Sequence, residues 1–221
     1  SNYPKINHPN FDGGWGIRGD VLYTSNNIHW TGFWNEKEKN ATDRVMEFQL
    51  RLTGSHVDPF GWTFRHREIS PGTFSFYAVE ISPYYKELTL AKITSWTPNT
   101  RDPVHGGPVY HGIISSADGY YTNSSYRRSG FAGALSNCSG SILQRVPISF
   151  SYGTWYDMKI DVTGNRIRVW YNGVLKIDYT DNDNPLTHGG YGPYTASQYL
   201  AEFREIYING SSFLNVPPSI V

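Results

Sequence analysis

The chain has 221 residues, 19 Lys and Arg against 19 Asp and Glu, and a single cysteine, Cys138. That length fits one large β-sandwich or barrel domain, the zero formal charge removes the field that recruits nucleic acid or an anionic membrane, and a lone thiol builds neither a disulfide framework nor a thiolate metal cluster. Aromatic residues make up 16%, which suits pleated surfaces and exposed stacking side chains, and no run approaches the roughly 18 apolar residues of a spanning helix, so no membrane insertion is expected.

In chain order, the opening Ser1–Pro9 carries no signal-peptide pattern. Residues 46–52 alternate cleanly, with Met46, Phe48, Leu50 and Leu52 on one face and Glu47, Gln49 and Arg51 on the other. After a turn at 54–59, residues 61–67 place Trp62 and Phe64 inward and Thr63, Arg65 and Arg67 outward; residues 76–81 place Tyr77, Val79 and Ile81 inward and Ala78 and Glu80 outward. The three segments are expected to form a meander. Residues 97–146 are rich in Pro, Gly, Ser, Asn and Tyr with faint alternation, and read as a long irregular insertion bordering a ligand face. Alternation returns at 155–162 and 166–171, and Asn172-Gly173 predicts a two-residue type I′ hairpin leading into 174–179. Residues 190–194 and 199–208 supply the last strands. The expected fold is all-β, a two-sheet antiparallel jelly-roll β-sandwich, as a single domain over 1–212. Residues 213–221, with Pro217-Pro218, read as a linker-like tail, so a monomeric module of a larger protein is expected.

The run Trp155 to Gly173, the Gly-rich strand after it and Ala201-Glu-Phe-Arg-Glu-Ile-Tyr-Ile208 together resemble the concanavalin A-like lectin and glucanase superfamily. Within it the chain is similar to family 66 carbohydrate-binding modules and the 3-keto-disaccharide hydrolase family, and Phe64-Arg65 and Tyr77-Ala-Val-Glu-Ile81 resemble that family's Phe-Arg and Tyr-x-Val-x-Ile segments. The resemblance covers 43–96 and 150–208. It implies a jelly roll and a carbohydrate ligand, while the fold itself hosts lectins, binding modules, hydrolases and lyases. The Glu-x-Asp-x-Glu strand of family 16 glycoside hydrolases is absent, and Ser82 stands where a legume lectin would carry its calcium-binding Asp.

The outward residues Glu47, Gln49, Arg65, Arg67 and Glu80 are expected to share one polar face. Arg and carboxylate heads there suit vicinal hydroxyls while aromatic faces cover C–H patches of a sugar ring; the competing reading is a solvated cross-strand ion pair of under about 1 kcal/mol. The resemblance favours Arg65 and Glu80 as the binding pair. Tyr84, Tyr85, Trp96 and Tyr194 are candidate stacking aromatics, Tyr194 resembling one that family 66 modules carry near their last strands. Glu47 with Glu80 is the candidate acid–base pair of an enzyme. No metal ligands are assigned to the scattered histidines. Asp178 to Asn184 clusters oxygen donors without the Gly and terminal Glu of an EF-hand loop, so it reads as an Asx-rich turn, a structural calcium being the alternative. The function expected is a non-catalytic polysaccharide- or glycan-binding module or adhesin domain, extracellular or on the cell surface and without a cofactor. A glycan-active hydrolase or lyase and a laminin-G-like protein-binding domain are the alternatives.

Overall fold

The computed structural model describes residues 15–24, 31–32, 39–54, 59–96, 138–195 and 200–213, and every strand pairing among them is antiparallel. One sheet contains β1 (Trp15–Arg18), β2 (Val21–Thr24), β4 (Arg44–Leu52), β9 (Tyr156–Thr163), β10 (Arg166–Tyr171), β11 (Val174–Thr180), β13 (Ala201–Ile208) and the short β14 (Ser211–Ser212). Its order is β1-β2-β13-β4-β9-β10-β11, with β14 beside β13. The second contains β3 (Thr31–Gly32), β5 (Phe60–Ser70), β6 (Thr73–Ser82), β7 (Glu87–Trp96), β8 (Cys138–Pro147) and β12 (Gly190–Thr195), ordered β3-β12-β5-β6-β7-β8. This is the two-sheet sandwich that the alternation predicts.

Inward residues of the two sheets interdigitate as aromatic pairs. Phe48 of β4 stacks on Trp62 of β5 with ring centres 4.5 Å apart, and Phe203 of β13 tilts against Phe48 and Trp62 at 6.3 and 6.5 Å. Such pairs add about 0.5–1.5 kcal/mol each beyond their buried area. In the first sheet burial alternates along β4, β9 and β10, so one face meets the core and the other meets solvent. In the second sheet β5, β6 and β7 carry continuous buried runs, so both faces are out of solvent.

Three expectations are corrected. The meander is not 46–52, 61–67 and 76–81. After Leu52 the chain passes to the other sheet, β4 pairs with β9 and β13, and the actual meander is β5-β6-β7-β8. The expected insertion over 97–146 ends in a real strand, β8, held by nine register pairs to β7; residues 97–137 lie outside the described residues. The tail does not begin at 213, because the Phe213 ring packs edge-on against Trp62 at 5.9 Å and near Tyr191 at 6.2 Å. The Asn172-Gly173 hairpin forms as predicted, with φ of 49° and 74°.

One end of the sandwich is closed by buried polar groups. The chain leaves the first sheet after β11 and enters the second at β12, and Asp181 begins that crossing. Its carboxylate Oδ2 accepts the Tyr77 hydroxyl at 2.5 Å and pairs with the Lys92 ammonium at 2.8 Å, while Oδ1 accepts the Asp183 amide at 3.0 Å. Lys92 also donates to the Asp183 carbonyl, and the Leu186 amide donates to the Tyr77 hydroxyl at 3.0 Å. The Asp178–Asn184 cluster is therefore an Asx-rich turn whose buried carboxylate faces a lysine. Burial pushes the Asp181 carboxyl up, but hydrogen bonds from Lys92, Tyr77 and the Asp183 amide outweigh it and hold the group below the usual carboxylate range.

Replacing Lys92 by Met strands a buried charge, and we expect a loss of about 3–5 kcal/mol in urea unfolding, largely recovered when Asp181 is also changed to Asn. A carboxyl held below its unfolded-state value of about 3.9 binds protons more weakly in the folded protein. Its contribution is complete above about pH 4 and is lost as the pH falls through the folded-state value. Thermal midpoints measured from pH 6 to pH 2 should fall at the acid end, and Asp181→Asn should flatten that fall.

Candidate functional site

The sequence places Arg65 and Glu80 on one face; the structure separates them. Between Phe64 and Arg67 strand β5 bulges against β6, and Arg65 sits in the bulge with φ of 50°. The bulge breaks the alternation and turns the side chain toward the core side. Buried there, Arg65 donates from Nη1 to the Leu186 carbonyl at 2.5 Å and from Nη2 to the Gly164 carbonyl at 2.6 Å, with Asp43 at 3.5 Å. It ties the second sheet to the β9–β10 hairpin of the first. Gly189 makes this approach feasible, since a Cβ at that position would run into the Arg65 backbone. Arg67, partly exposed, reaches Ser75 Oγ at 3.4 Å and His188 Nε2 at 3.3 Å.

Glu47 and Gln49 lie on the solvent face of the first sheet, on the opposite side of the molecule from Glu80. Glu47 pairs with Lys159 at 3.3 Å, and Gln49 bridges Asp157 and Arg204, each at 2.7 Å. Glu47 and Glu80 thus cannot form an acid–base pair, and the single polar face expected from five residues does not exist: Glu47 and Gln49 lie on the outer face of the first sheet, Glu80 on that of the second, and Arg65 is buried between the sheets. Of the aromatics, Trp96 is fully buried with its ring 6.0 Å from both Phe74 and Phe76, and Tyr194 is also fully buried, so neither is an exposed platform. Tyr84 and Tyr85 occupy the β6–β7 turn with rings edge-on at 4.7 Å, and Tyr84 is 60% exposed.

What the structure does assemble is a polar row across the outer face of the second sheet. Register pairs Tyr194 with Gly61, Gly61 with Glu80, Glu80 with Thr89 and Thr89 with Arg145, so the row runs through β12, β5, β6, β7 and β8. Cross-strand partners share a face, and the neighbouring Val79, Ile81, Leu88 and Leu90 belong to the core, so this row points away from it. The Tyr194 hydroxyl crosses the side-chain-free Gly61 and donates to Glu80 Oε2. Burial, with the Glu80 charge and hydrogen bond adding to it, pushes the Tyr194 phenol well above its ordinary value, so it stays a donor. The next row holds Gly192, Thr63, Ala78 and Ala91, short side chains that are buried like Glu80 itself. Exposure rises along the row: Tyr194, Glu80 and Thr89 are buried, whereas Arg145 is partly exposed. Two strand spacings put the Glu80 and Arg145 backbones roughly 10 Å apart.

His66, stacked on Phe76 with centres 4.8 Å apart, is pulled down to about 3 by burial and stays neutral at ordinary pH, so it supplies no acid–base group. Among the described residues no group of three or more His, Cys, Asp or Glu is arranged for a metal ion, and no helix is long and apolar enough to cross a membrane. Sequence reading found Glu80 and Tyr194 but missed Thr89 and Arg145. Thr89 was legible, since Leu88-x-Leu90 alternates after the Tyr84-Tyr85 turn; Arg145 lay inside the segment read as irregular.

The family model of the 3-keto-alpha-glucoside-1,2-lyase-like domain matches residues 11–209. No curated protein matches the chain. Among solved structures the fold is similar to the family 66 carbohydrate-binding module from Bacillus subtilis, with 12% identity, 89% of this chain and 91% of that chain covered, and a TM-score of 0.58. It is also similar to the exoplasmic/lumenal domain of VIP36, solved with Ca2+ and Man3GlcNAc bound, at 12% identity, 89% and 83% coverage and TM-score 0.52. A protein of unknown function with a galectin-like fold from Bacillus subtilis matches at 12% identity, 89% and 86% coverage and TM-score 0.50.

A Cβ at Gly61 would collide with the Val79 carbonyl and the Glu80 backbone. Gly61→Ala should cost about 1–3 kcal/mol in urea unfolding, whereas Tyr194→Phe should cost about 1–3 kcal/mol through the lost hydrogen bond alone and keep the near-ultraviolet circular dichroism of the native fold.

Proposed function

The chain belongs to the 3-keto-alpha-glucoside-1,2-lyase-like domain family, and from that premise we propose that it binds a carbohydrate on the outer face of its second sheet, along Glu80, Thr89 and Arg145. The observation that carries the reading is the buried Glu80–Tyr194 pair beside a floor of Gly, Ala and Thr. Glu80 is an acceptor held in place by the Tyr194 hydroxyl, Thr89 a hydroxyl, and Arg145 a planar guanidinium two strands away; a ring bearing hydroxyls on both edges meets both kinds of group. Away from bulk water a charge-assisted hydrogen bond gains strength, so a few such contacts hold a neutral ligand. The carbohydrate-binding and lectin-like neighbours support a glycan-related role for this sandwich.

The family description favours one second reading, elimination across C1 and C2 of a 3-keto-α-glucoside. There the ketone acidifies the C2 proton, Glu80 accepts that proton, and the C1 substituent departs. Tyr194, kept protonated, orients the carboxylate.

Glycan-array screening followed by calorimetry on the best ligand tests the first reading. Glu80→Gln and Arg145→Met should each weaken binding more than tenfold, the loss of about 1.5–3 kcal/mol expected for a charged hydrogen-bonding partner, with circular dichroism unchanged. Full affinity in both well-folded variants would move the site elsewhere. Turnover of a 3-keto-α-glucoside by the wild type, abolished in Glu80→Gln, would establish the lyase reading; absence of turnover at micromolar protein would sink it.

A further inference from the structure

We propose that the β6–β7 turn is an extension subsite, in which Tyr84 stacks on a second or third sugar ring, so that the ligand is an oligosaccharide and not a single sugar. The inference rests on the binding reading above and adds the length class of the ligand and a residue outside the polar row.

The hairpin itself supplies the path. Side chains two apart share a face, so Ser82 continues the outer face from Glu80 and Glu87 continues it from Thr89, and Ser82 pairs with Glu87 at the mouth of the turn. Two residues of strand bring the face about 7 Å from the Glu80 row to that closing pair. Burial falls along the same direction: Ser82 is 7% exposed, Glu87 partly exposed and Tyr84 60%. A sugar chain whose first ring is held at Glu80 and Arg145 therefore runs over the Ser82 hydroxyl and the Glu87 carboxylate toward the exposed Tyr84 ring at the turn.

Tyr84 has the largest exposure of any big apolar side chain among the described residues. Its exposure is held in place by the turn. Tyr85 packs edge-on beside it, the Tyr85 amide donates to Ser82 Oγ at 3.4 Å, and Lys86 takes a left-handed φ of 53° that closes the four-residue loop. The carbonyl of Lys86 also accepts the Ile148 amide at 2.8 Å, anchoring the turn to the chain that leaves β8. A rigid, solvated aromatic face carries little ordering cost on binding, and such a face fits the apolar C–H patch of a sugar ring.

The test uses mono-, di-, tri- and tetrasaccharides of neutral glucans, fructans and galactans against the full chain, its Tyr84→Ala and Tyr84→Phe variants, and Glu80→Gln. Affinity should rise from mono- to trisaccharide in the wild type. Tyr84→Ala should lose roughly tenfold on the trisaccharide and nothing on the monosaccharide, and Tyr84→Phe should retain wild-type behaviour, because stacking needs the ring and not the hydroxyl. Equal affinity for mono- and trisaccharide, or an equal loss on both in Tyr84→Ala, overturns the extension subsite while leaving the Glu80 site intact. A Glu80→Gln variant that binds every length normally overturns the underlying site, and with it the extension.

Discussion

The Asp181 carboxylate is the constraint from which the polar row on the second sheet follows. A buried anion is tolerated only when paired and hydrogen-bonded, and here its partners come from β6 through Tyr77 and from β7 through Lys92, both in the second sheet, while Asp181 itself directly follows β11 of the first. The crossing is thereby pinned at its origin. Six residues on, Thr187 and His188 lead to Gly189, whose missing side chain lets the chain pass against the Arg65 backbone and start β12 beside β5. With β12 fixed in that register, Tyr194 falls opposite Gly61 and its hydroxyl reaches Glu80. A polar cluster between the sheets at one end thus sets a hydrogen bond on the outer face of one of them.

Arg65 has the same role in a different chemistry. A guanidinium donating to two backbone carbonyls, at Leu186 and Gly164, satisfies acceptors at the ends of two loops that a hydrophobic side chain would leave bare. The left-handed backbone at Arg65 carries strain that the surrounding contacts must offset. The Phe-Arg segment that resembles the family's binding motif therefore contributes, in this chain, a strut that ties the two sheets together.

The periodicity of two made most of the sandwich legible. Met46, Phe48, Leu50, Trp62, Phe64, Tyr77 and Val79, like the 156–171 hairpin, all face the core as their alternation implies. Three kinds of information escaped it. Which sheet a strand joins is not written in its own pattern, and β4, adjacent to β5 in sequence, pairs with β9 and β13 across the core from it. A bulge adds one residue without a signature in side-chain type, and at Arg65 it reversed the face of the residue on which the binding hypothesis leaned. In β8 the apolar residues Ile142 and Leu143 are adjacent and do not alternate, and the rest is largely Ser, Gly, Gln and Arg, so the strand did not separate from a loop and Arg145 was hidden with it.

The two sheets also differ in how they treat charge, which bears on where a ligand can act. On the solvent face of the first sheet Trp155 carries Arg51 and Arg204 over its ring at 4.5 and 4.2 Å, and Glu202 takes up both Arg51 and Arg18. Lys159, Arg166 and Arg168 each have a carboxylate partner as well. Cations stacked on rings and paired with acids already engage the charged heads on this face. The second sheet keeps the Glu80 carboxylate out of solvent, gives it a phenol donor, and flanks it with the short side chains of Thr63, Ala78 and Ala91. Desolvation weakens an unpartnered polar group and strengthens a partnered one. On the binding reading proposed above, a hydroxylated ring therefore gains more at Glu80 than on the hydrated ladder opposite, and an exposed aromatic ring, Tyr84, stands on the same hairpin to meet it.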